Sequence, residues 1–339
     1  MCSTRIGVLG CGYWGPKLAR NLHEMEDVEL AWLCDLKQDY LGRACELYPE
    51  ARPTTDYHDV LKDDIDAVAI ATPVTTHYRL AKEALEAGKH ILVEKPLAAS
   101  TQEATDLAEY ADRQGLAAMV GHTFQHNAAV NAVRDLVQQG ELGDVYYVDA
   151  TRANLGLFQT DINVMWDLAP HDVSILIHLL GQDPLEVSAQ GVACVQRARS
   201  VHDVVYMKLF FPNCVMANIR VSWLDPVKTR RVIVVGSKKM LVYDDVLDDK
   251  VTLYDKGVEI PPFTVTPEEF HLSYRHGAET HVPYDWREPL RVECESFVHW
   301  ITTGQRSCSD AWMGARVVRV LESAQTSLLN GGGRETVRS

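Results

Sequence analysis

Two clusters in this chain combine residue types and spacing that suit chemistry: Gly10-Cys11-Gly12-Tyr13-Trp14-Gly15, and a lysine set between an acid and a proline, Glu94-Lys95-Pro96. Glycines at the first, third and sixth positions of a turn let the backbone curl tightly, approach a pyrophosphate and pack a helix closely on a strand. Amides of the first helical turn would then face the phosphates, helped by the positive end of the helix. Tyr13 and Trp14 lie inside this turn and count among the expected cofactor contacts, and Pro16 suits a first-turn position with no helical hydrogen bond to lose. Asp35 follows twenty residues after Gly15, at the end of the next apolar run. A carboxylate there accepts from ribose hydroxyls and repels a 2′-phosphate, which favours NAD(H) over NADP(H), with Lys37 pulling the other way.

Lys95 should stand at the carboxyl edge of the same sheet, where ligands of open α/β sheets bind, together with Ala71-Thr72-Pro73. A lysine ordinarily titrates near ~10.4, and burial or a neighbouring cation brings it towards the range useful for acid–base work, while an adjacent carboxylate such as Glu94 opposes that change and holds the lysine in place. A second candidate pair, Asp167 and His171, sits in Trp166-Asp167-Leu168-Ala169-Pro170-His171-Asp172. Four residues apart on a helix, the two share a face, so the acid could orient an imidazole that exchanges protons near neutral pH. The competing reading makes Asp167 a helix N-cap and His171 an ordinary surface residue. Arg152, Arg230 and Arg231 flank strands where a guanidinium fork could meet a phosphate or carboxylate. No cluster with metal-ligand spacing is evident.

These residues need elements to hold them. Arg5–Leu9, Val28–Cys34, Asp66–Ala71, His90–Val93 and Leu116–Gly121 read as strands, with helices at Pro16–Met25, Thr76–Ala87 and Thr101–Arg113. Strands alternating with helices imply a doubly wound parallel sheet, so residues 1–122 are assigned to a Rossmann domain. After Gly121 come helices at Ala128–Gln139 and Asp167–Leu180, the latter placing Pro170 in its first turn. Strands follow at Val145–Thr151, Leu185–Val195, Val204–Phe210, Val215–Val221, Arg231–Val235 and Met240–Tyr243, then helices at Arg291–Thr302 and Ala311–Leu329. Consecutive strands with few crossovers imply an α+β domain with a mostly antiparallel open sheet over 123–329. The glycine-rich segment 330–339 is expected to fray.

Composition narrows the function classes. With 33 basic and 47 acidic residues the formal charge is −14, which disfavours contact with nucleic acid or anionic membranes. No run approaches the ~18 apolar residues of a membrane span, and the start leads into the first strand without a secretory h-region. The eight cysteines show no C-x-x-C spacing. Reduced thiols and a cytoplasmic location are therefore expected.

Taken together, the glycine turn, Ala71-Thr72-Pro73-Val74-Thr75-Thr76-His77, Glu94-Lys95-Pro96, Gly121-His122-Thr123-Phe124 and the Asp167/His171 pair resemble the glucose–fructose oxidoreductase/inositol dehydrogenase (Gfo/Idh/MocA) family over nearly the whole chain. The motifs Gly12-Tyr13-Trp14-Gly15-Pro16 and Trp166–Asp172 look like those of the branch acting on nucleotide-linked sugars. The resemblance implies Lys95 and His171 on either side of the reacting carbon, with Asp167 in support. It places Thr72, Pro73, His77 and Glu94 along the nicotinamide and Asn154 near the sugar; His122 and Arg152 are further candidates for substrate contact. It further implies a homodimer or homotetramer formed through the C-terminal sheet. The expected activity is NAD(H)-dependent hydride transfer at a secondary alcohol of a sugar ring, C3 of a nucleotide sugar first. A dehydrogenase of free polyols, inositols or aldoses is the alternative, and a non-catalytic NAD(H) sensor the second one.

Overall fold

The computed structural model describes residues 3–156, 158–159, 162–259 and 273–337. The chain divides into two compact units, the first comprising residues up to Asn127 together with Arg287–Arg319, the second Ala128–Trp286 and the residues from Val320 onward.

The first unit opens with β1 (Thr4–Leu9), α1 (Gly15–His23), β2 (Val28–Cys34), α2 (Gln38–Leu47), β3 (Arg52–Thr54) and α3 (Tyr57–Lys62). It continues with β4 (Ala67–Ile70), α4 (Val74–Glu86), β5 (His90–Val93), α5 (Thr101–Gln114), β6 (Ala118–Val120) and a 3-10 turn, Thr123–His126. The six strands pair in the order β3-β2-β1-β4-β5-β6. All pairs are parallel, with Val8 opposite both Leu33 and Ala69. Every residue of β4, Ala-Val-Ala-Ile, is buried, as expected for strands covered on both faces. The helices follow equally local logic: α5 buries Ala104, Leu107, Ala108 and Ala111 at helical spacing. Its start is capped by Ser100, whose hydroxyl accepts from the Glu103 amide, and Gly115 ends it at φ 68°. The stretch 38–62 is polar and its strand only three residues long, which explains why periodicity assigned it no elements.

The second unit contains α6 (Ala128–Gln138), β7 (Val145–Leu155), α7 (Val164–Leu180) and a run of strands: β8 (Glu186–Val192), β9 (Val204–Phe210), β10 (Met216–Ser222), β11 (Leu224–Gly236), β12 (Met240–Asp244), β13 (Val251–Glu259) and β14 (Ser273–His281). The nine-stranded order is β14-β13-β12-β11-β7-β10-β9-β8-β15, where β15 is Glu335–Thr336. Pairing is antiparallel except between β7 and β10. The strand alternation is plain in β9, where Val205, Met207 and Leu209 are buried while Tyr206 and Lys208 are exposed.

Three expectations change. The tail pairs rather than frays: Glu335 and Thr336 add to β8, and the Val337 amide donates to the Leu185 carbonyl at 2.9 Å, with residues 338–339 outside the described set. Next, α8 (Pro289–Thr303) and the start of α9 (Ala311–Leu329) group with the first unit, although the sequence reading extends the second domain to 329. The reason is apolar: Leu290, Cys294, Phe297 and Val298 of α8 enter the same core as Leu18, Leu22 and Leu33. Finally, α7 begins three residues earlier than Asp167, capped by Asn163, whose side chain accepts from the Met165 and Trp166 amides. Pro170 therefore lies beyond the first turn and brings no amide to the Trp166 carbonyl. Among the described residues, no helix is long and apolar enough to cross a membrane.

Candidate active site

Backbone hydrogen bonds bring the carboxyl ends of the parallel strands side by side. The Gly10 amide donates to Cys34 O at 2.7 Å, Ala71 to Leu9 O at 2.8 Å, Glu94 to Ile70 O at 2.8 Å, and Gly121 to Val93 O at 2.8 Å. The glycine turn, Thr72-Pro73, Glu94-Lys95 and Gly121-His122 thus form one edge of the first unit, where open α/β sheets bind ligands.

The turn tolerates nothing larger at its two ends. Gly10 sits at φ 96°, and a Cβ on Gly15 would collide with the Gly10 carbonyl oxygen. At Gly12 an added Cβ would meet nothing within 4 Å, so this stretch of backbone is open to an approaching group. Asp35 ties the turn to the end of β2: its Oδ2 accepts from the Cys11 amide and its Oδ1 from the Lys37 amide, both at 2.7 Å. Each oxygen retains a lone pair for a hydroxyl donor, and the side chain is only half-buried. Lys17 Nζ lies over the rings of Tyr13 and Trp14, 3.6 and 4.1 Å from their centroids, which adds positive charge beside the turn. A turn whose middle is open and whose ends are packed shut, with an oriented acid beside it, fits the pyrophosphate and ribose of a dinucleotide.

Deeper along the edge, His77 is buried, its Nε2 2.8 Å from the Thr72 carbonyl and its Nδ1 2.8 Å from the Pro96 carbonyl. It braces the two loops that flank Lys95, and burial pushes its pKa down. The Thr76 hydroxyl oxygen lies 2.7 Å from both Thr72 Oγ1 and Pro73 O, within hydrogen-bond reach of each. Glu94 is buried, and its Oε2 accepts from the Lys95 amide at 3.3 Å. Burial pushes Glu94 up to about 7, against the opposing pull of the Lys95 charge. His122, fully buried, is pushed down to about 3, first by burial and then by Lys95 and His126.

In the second unit, Asp167 lies one turn into α7 and is not the N-cap; its Oδ2 accepts from the indole of the fully buried Trp223 at 2.9 Å. His171, half-buried, is one turn further on, and its carbonyl accepts from the Ser174 hydroxyl at 2.8 Å. Arg152 is buried, and its Nε and Nη2 donate to the two oxygens of Asp172 at 2.9 and 3.1 Å. This pairing cross-braces β7 to α7. Asn154 stands two residues on in β7, half-buried. Sequence reasoning passed over Trp223, Asp172 and Glu293. Successive helical residues point about 100° apart, so Asp172 does not share the face of His171, and that step was the available sign of a different environment.

Comparison with known proteins agrees with this geometry. Residues 4–122 match the GFO/IDH/MocA oxidoreductase family with its NAD-binding Rossmann fold, and residues 130–242 match a GFO/IDH/MocA C-terminal domain. The chain is 28% identical over 325 residues to UDP-N-acetylglucosamine 3-dehydrogenase of Acidithiobacillus ferrooxidans, covering 94% of this chain and 95% of that protein. It is 25% identical over 266 residues to myo-inositol 2-dehydrogenase of Thermotoga maritima, covering 74% and 78%. A crystal structure of the Acidithiobacillus enzyme superposes with a TM-score of 0.81 at 25% identity, covering 97% of this chain and 98% of that one. With an open glycine cradle in its first unit and both halves matched in order, this chain belongs to the GFO/IDH/MocA family of NAD-binding oxidoreductases.

Proposed function

We propose that the protein reversibly oxidises a secondary alcohol on a sugar ring, C3 of a nucleotide-linked sugar, with NAD(H). The observation that carries this reading is the placement of Glu94-Lys95 on the same strand-end edge as the open glycine turn and Asp35. The relation to a UDP-N-acetylglucosamine 3-dehydrogenase over almost all of both chains supports the substrate class. When bound, the nicotinamide supplies the hydride acceptor or donor. The chain's own residues do the rest. Gly12 and the first turn of α1 hold the phosphates, and Asp35 accepts from the ribose hydroxyls and disfavours a 2′-phosphate. Lys95 or His171 takes the hydroxyl proton, the other donates to the oxygen as negative charge develops, and Asp167 orients His171. Thr72, Pro73, His77 and Glu94 border the nicotinamide, while His122 and Asn154 belong to the sugar side.

The runner-up substrate class is a free polyol or inositol, favoured by the relation to a myo-inositol 2-dehydrogenase. Incubating the protein with NAD and either UDP-sugars or free inositols, and following NADH absorbance, separates the two. Lys95→Ala and His171→Ala should each lower turnover by roughly 10²–10⁴-fold while leaving NAD affinity within a few-fold. Variants that turn over near the wild-type rate would remove those residues from the mechanism. The protein is further proposed to act in the cytoplasm as a homodimer or homotetramer. The face of the C-terminal sheet that carries the exposed Tyr147 and Tyr206 supports this assembly.

A further inference from the structure

Near Glu94, the first unit buries Glu293, a carboxyl that the hydride-transfer reading leaves without a role. Glu293 stands in α8 among Leu290, Cys294 and Phe297, is fully buried, and among the described residues has a hydrogen-bond partner on neither carboxyl oxygen. α8 packs on the 3-10 turn that follows β6. At the start of that turn His122 is fully buried, with no partner among the described residues on either ring nitrogen. Gly121, which precedes His122, packs against Glu94, since a Cβ there would lie 3.3 Å from the Glu94 carboxyl, and Glu293 feels the Glu94 charge. Three segments distant in sequence therefore converge on one buried locus with unmatched hydrogen-bonding capacity. Buried polar atoms of this kind cost stability unless ordered water joins them, and such water needs two to four polar partners.

We propose that Glu293 is a positioning residue for Lys95 that acts through Glu94: it keeps its proton and, by way of internal water, donates to the Glu94 carboxylate that receives the Lys95 amide. The inference rests on the reading of Lys95 as a proton-handling residue. The charges around the locus agree with it. Burial, then the Glu94 charge, raise Glu293 well above the ordinary carboxyl range, and the Thr123 hydroxyl opposes them while falling outside hydrogen-bond geometry. Lys95 and, from α1, Lys17 favour ionised Glu94. His122 is uncharged at neutral pH, and His126, from the 3-10 turn, has its Nε2 2.9 Å from the Ser309 hydroxyl. Cys294, the neighbour on α8, is pushed far up by burial and stays a thiol, with Arg291 and Glu288 the charges nearer the helix start. Glu293 is thus the carboxyl that retains its proton, and Glu94 the one that ionises.

Two substitutions separate donation from space filling. Glu293→Met keeps the length and removes the donor, so Glu94 should hold its proton to higher pH. The acid limb of kcat/KM is expected to move up by about half a pH unit or more, lowering kcat/KM several-fold on the acid side, with the alkaline plateau within about two-fold of wild type. Glu293→Gln keeps an N–H donor and should leave the limb in place. Unmoved limbs in both variants, or equal shifts in both, overturn the proposal. Infrared difference spectra of the wild-type protein give a readout independent of turnover and of whether the variants fold. A protonated-carboxyl band should persist at about pH 8, and its absence also overturns the proposal. If Lys95→Ala retains turnover while the band is present, the mechanism falls and the buried donor stands.

Discussion

Two buried sets of charge-bearing side chains, one in each unit, are built on opposite principles. In the second unit Arg152 and Asp172 face each other fork to carboxylate, 4% and 1% exposed, with two matched hydrogen bonds. In the first unit Glu94, Glu293 and His122 are also buried, yet Glu293 and His122 have no hydrogen-bond partner among the described residues, and burial has displaced all three from their usual titration ranges. The matched pair neutralises itself and holds β7 against α7. Glu94 and His122 of the mismatched set stand at the strand ends near Lys95, where a group able to change its protonation state has a use. A buried charge that answers another serves architecture; one left to be answered by water or by a bound molecule costs stability and is retained for chemistry.

Breaking the matched pair should have the largest effect. Arg152→Met leaves Asp172 as an unpaired buried acid and is expected to cost about 3–5 kcal/mol in urea unfolding; a loss below about 1 kcal/mol would erase the contrast between the two sets. The mismatched set should behave in the reverse sense. Because Glu94 binds its proton more tightly in the folded protein, with its pKa raised from 4.5 to about 7, the stability this contributes is complete below 4.5 and is lost as pH rises towards about 7. Glu94→Gln escapes that loss, so its stability relative to wild type should climb by about 3 kcal/mol across this window and then level off. His122, with its pKa lowered to about 3, works in the opposite direction, losing stability as pH falls below its unfolded value, and it cancels in the comparison. A flat difference between the two melting series would contradict the assignment.

Gly15→Ala, whose new methyl would collide with the Gly10 carbonyl, should cost about 1–3 kcal/mol and, more tellingly, abolish NAD binding measured by calorimetry. Retained affinity would mean that the cradle is not where the pyrophosphate sits. The mildest change, Trp223→Phe, removes the indole donor to Asp167 and should cost about 1 kcal/mol, with kcat reduced if Asp167 steers His171.

The sequence made the first half legible because parallel strands buried on both faces are short apolar runs, and because a glycine turn, an acid and a lysine each fall at a strand end. The parallel sheet, the antiparallel sheet and the family all followed from such signals. What escaped was long-range. Nothing in Pro289–Thr303 announces that its apolar side faces Leu18 and Leu22 of α1, since periodicity shows that a helix has a core face but not which core it joins. Arg152 looked available because a guanidinium after a strand is usually solvated, and only the fold brings Asp172 across to meet it. Glu293 read as one charged residue among many, since burial of a carboxyl leaves no mark in local composition. The N-terminus of α7 was misplaced for a local reason: Asn163 and Asp167 are both fair caps, and Pro170 drew the boundary towards itself.

The core of the first unit takes Leu290, Cys294, Phe297 and Val298 from the far end of the chain. During synthesis on the ribosome the dinucleotide fold must therefore wait, its α1 flank bare, until nearly all of the second unit has emerged. A truncation upstream of α8 would leave that flank exposed for good, a surface for chaperones and proteases rather than a smaller working enzyme.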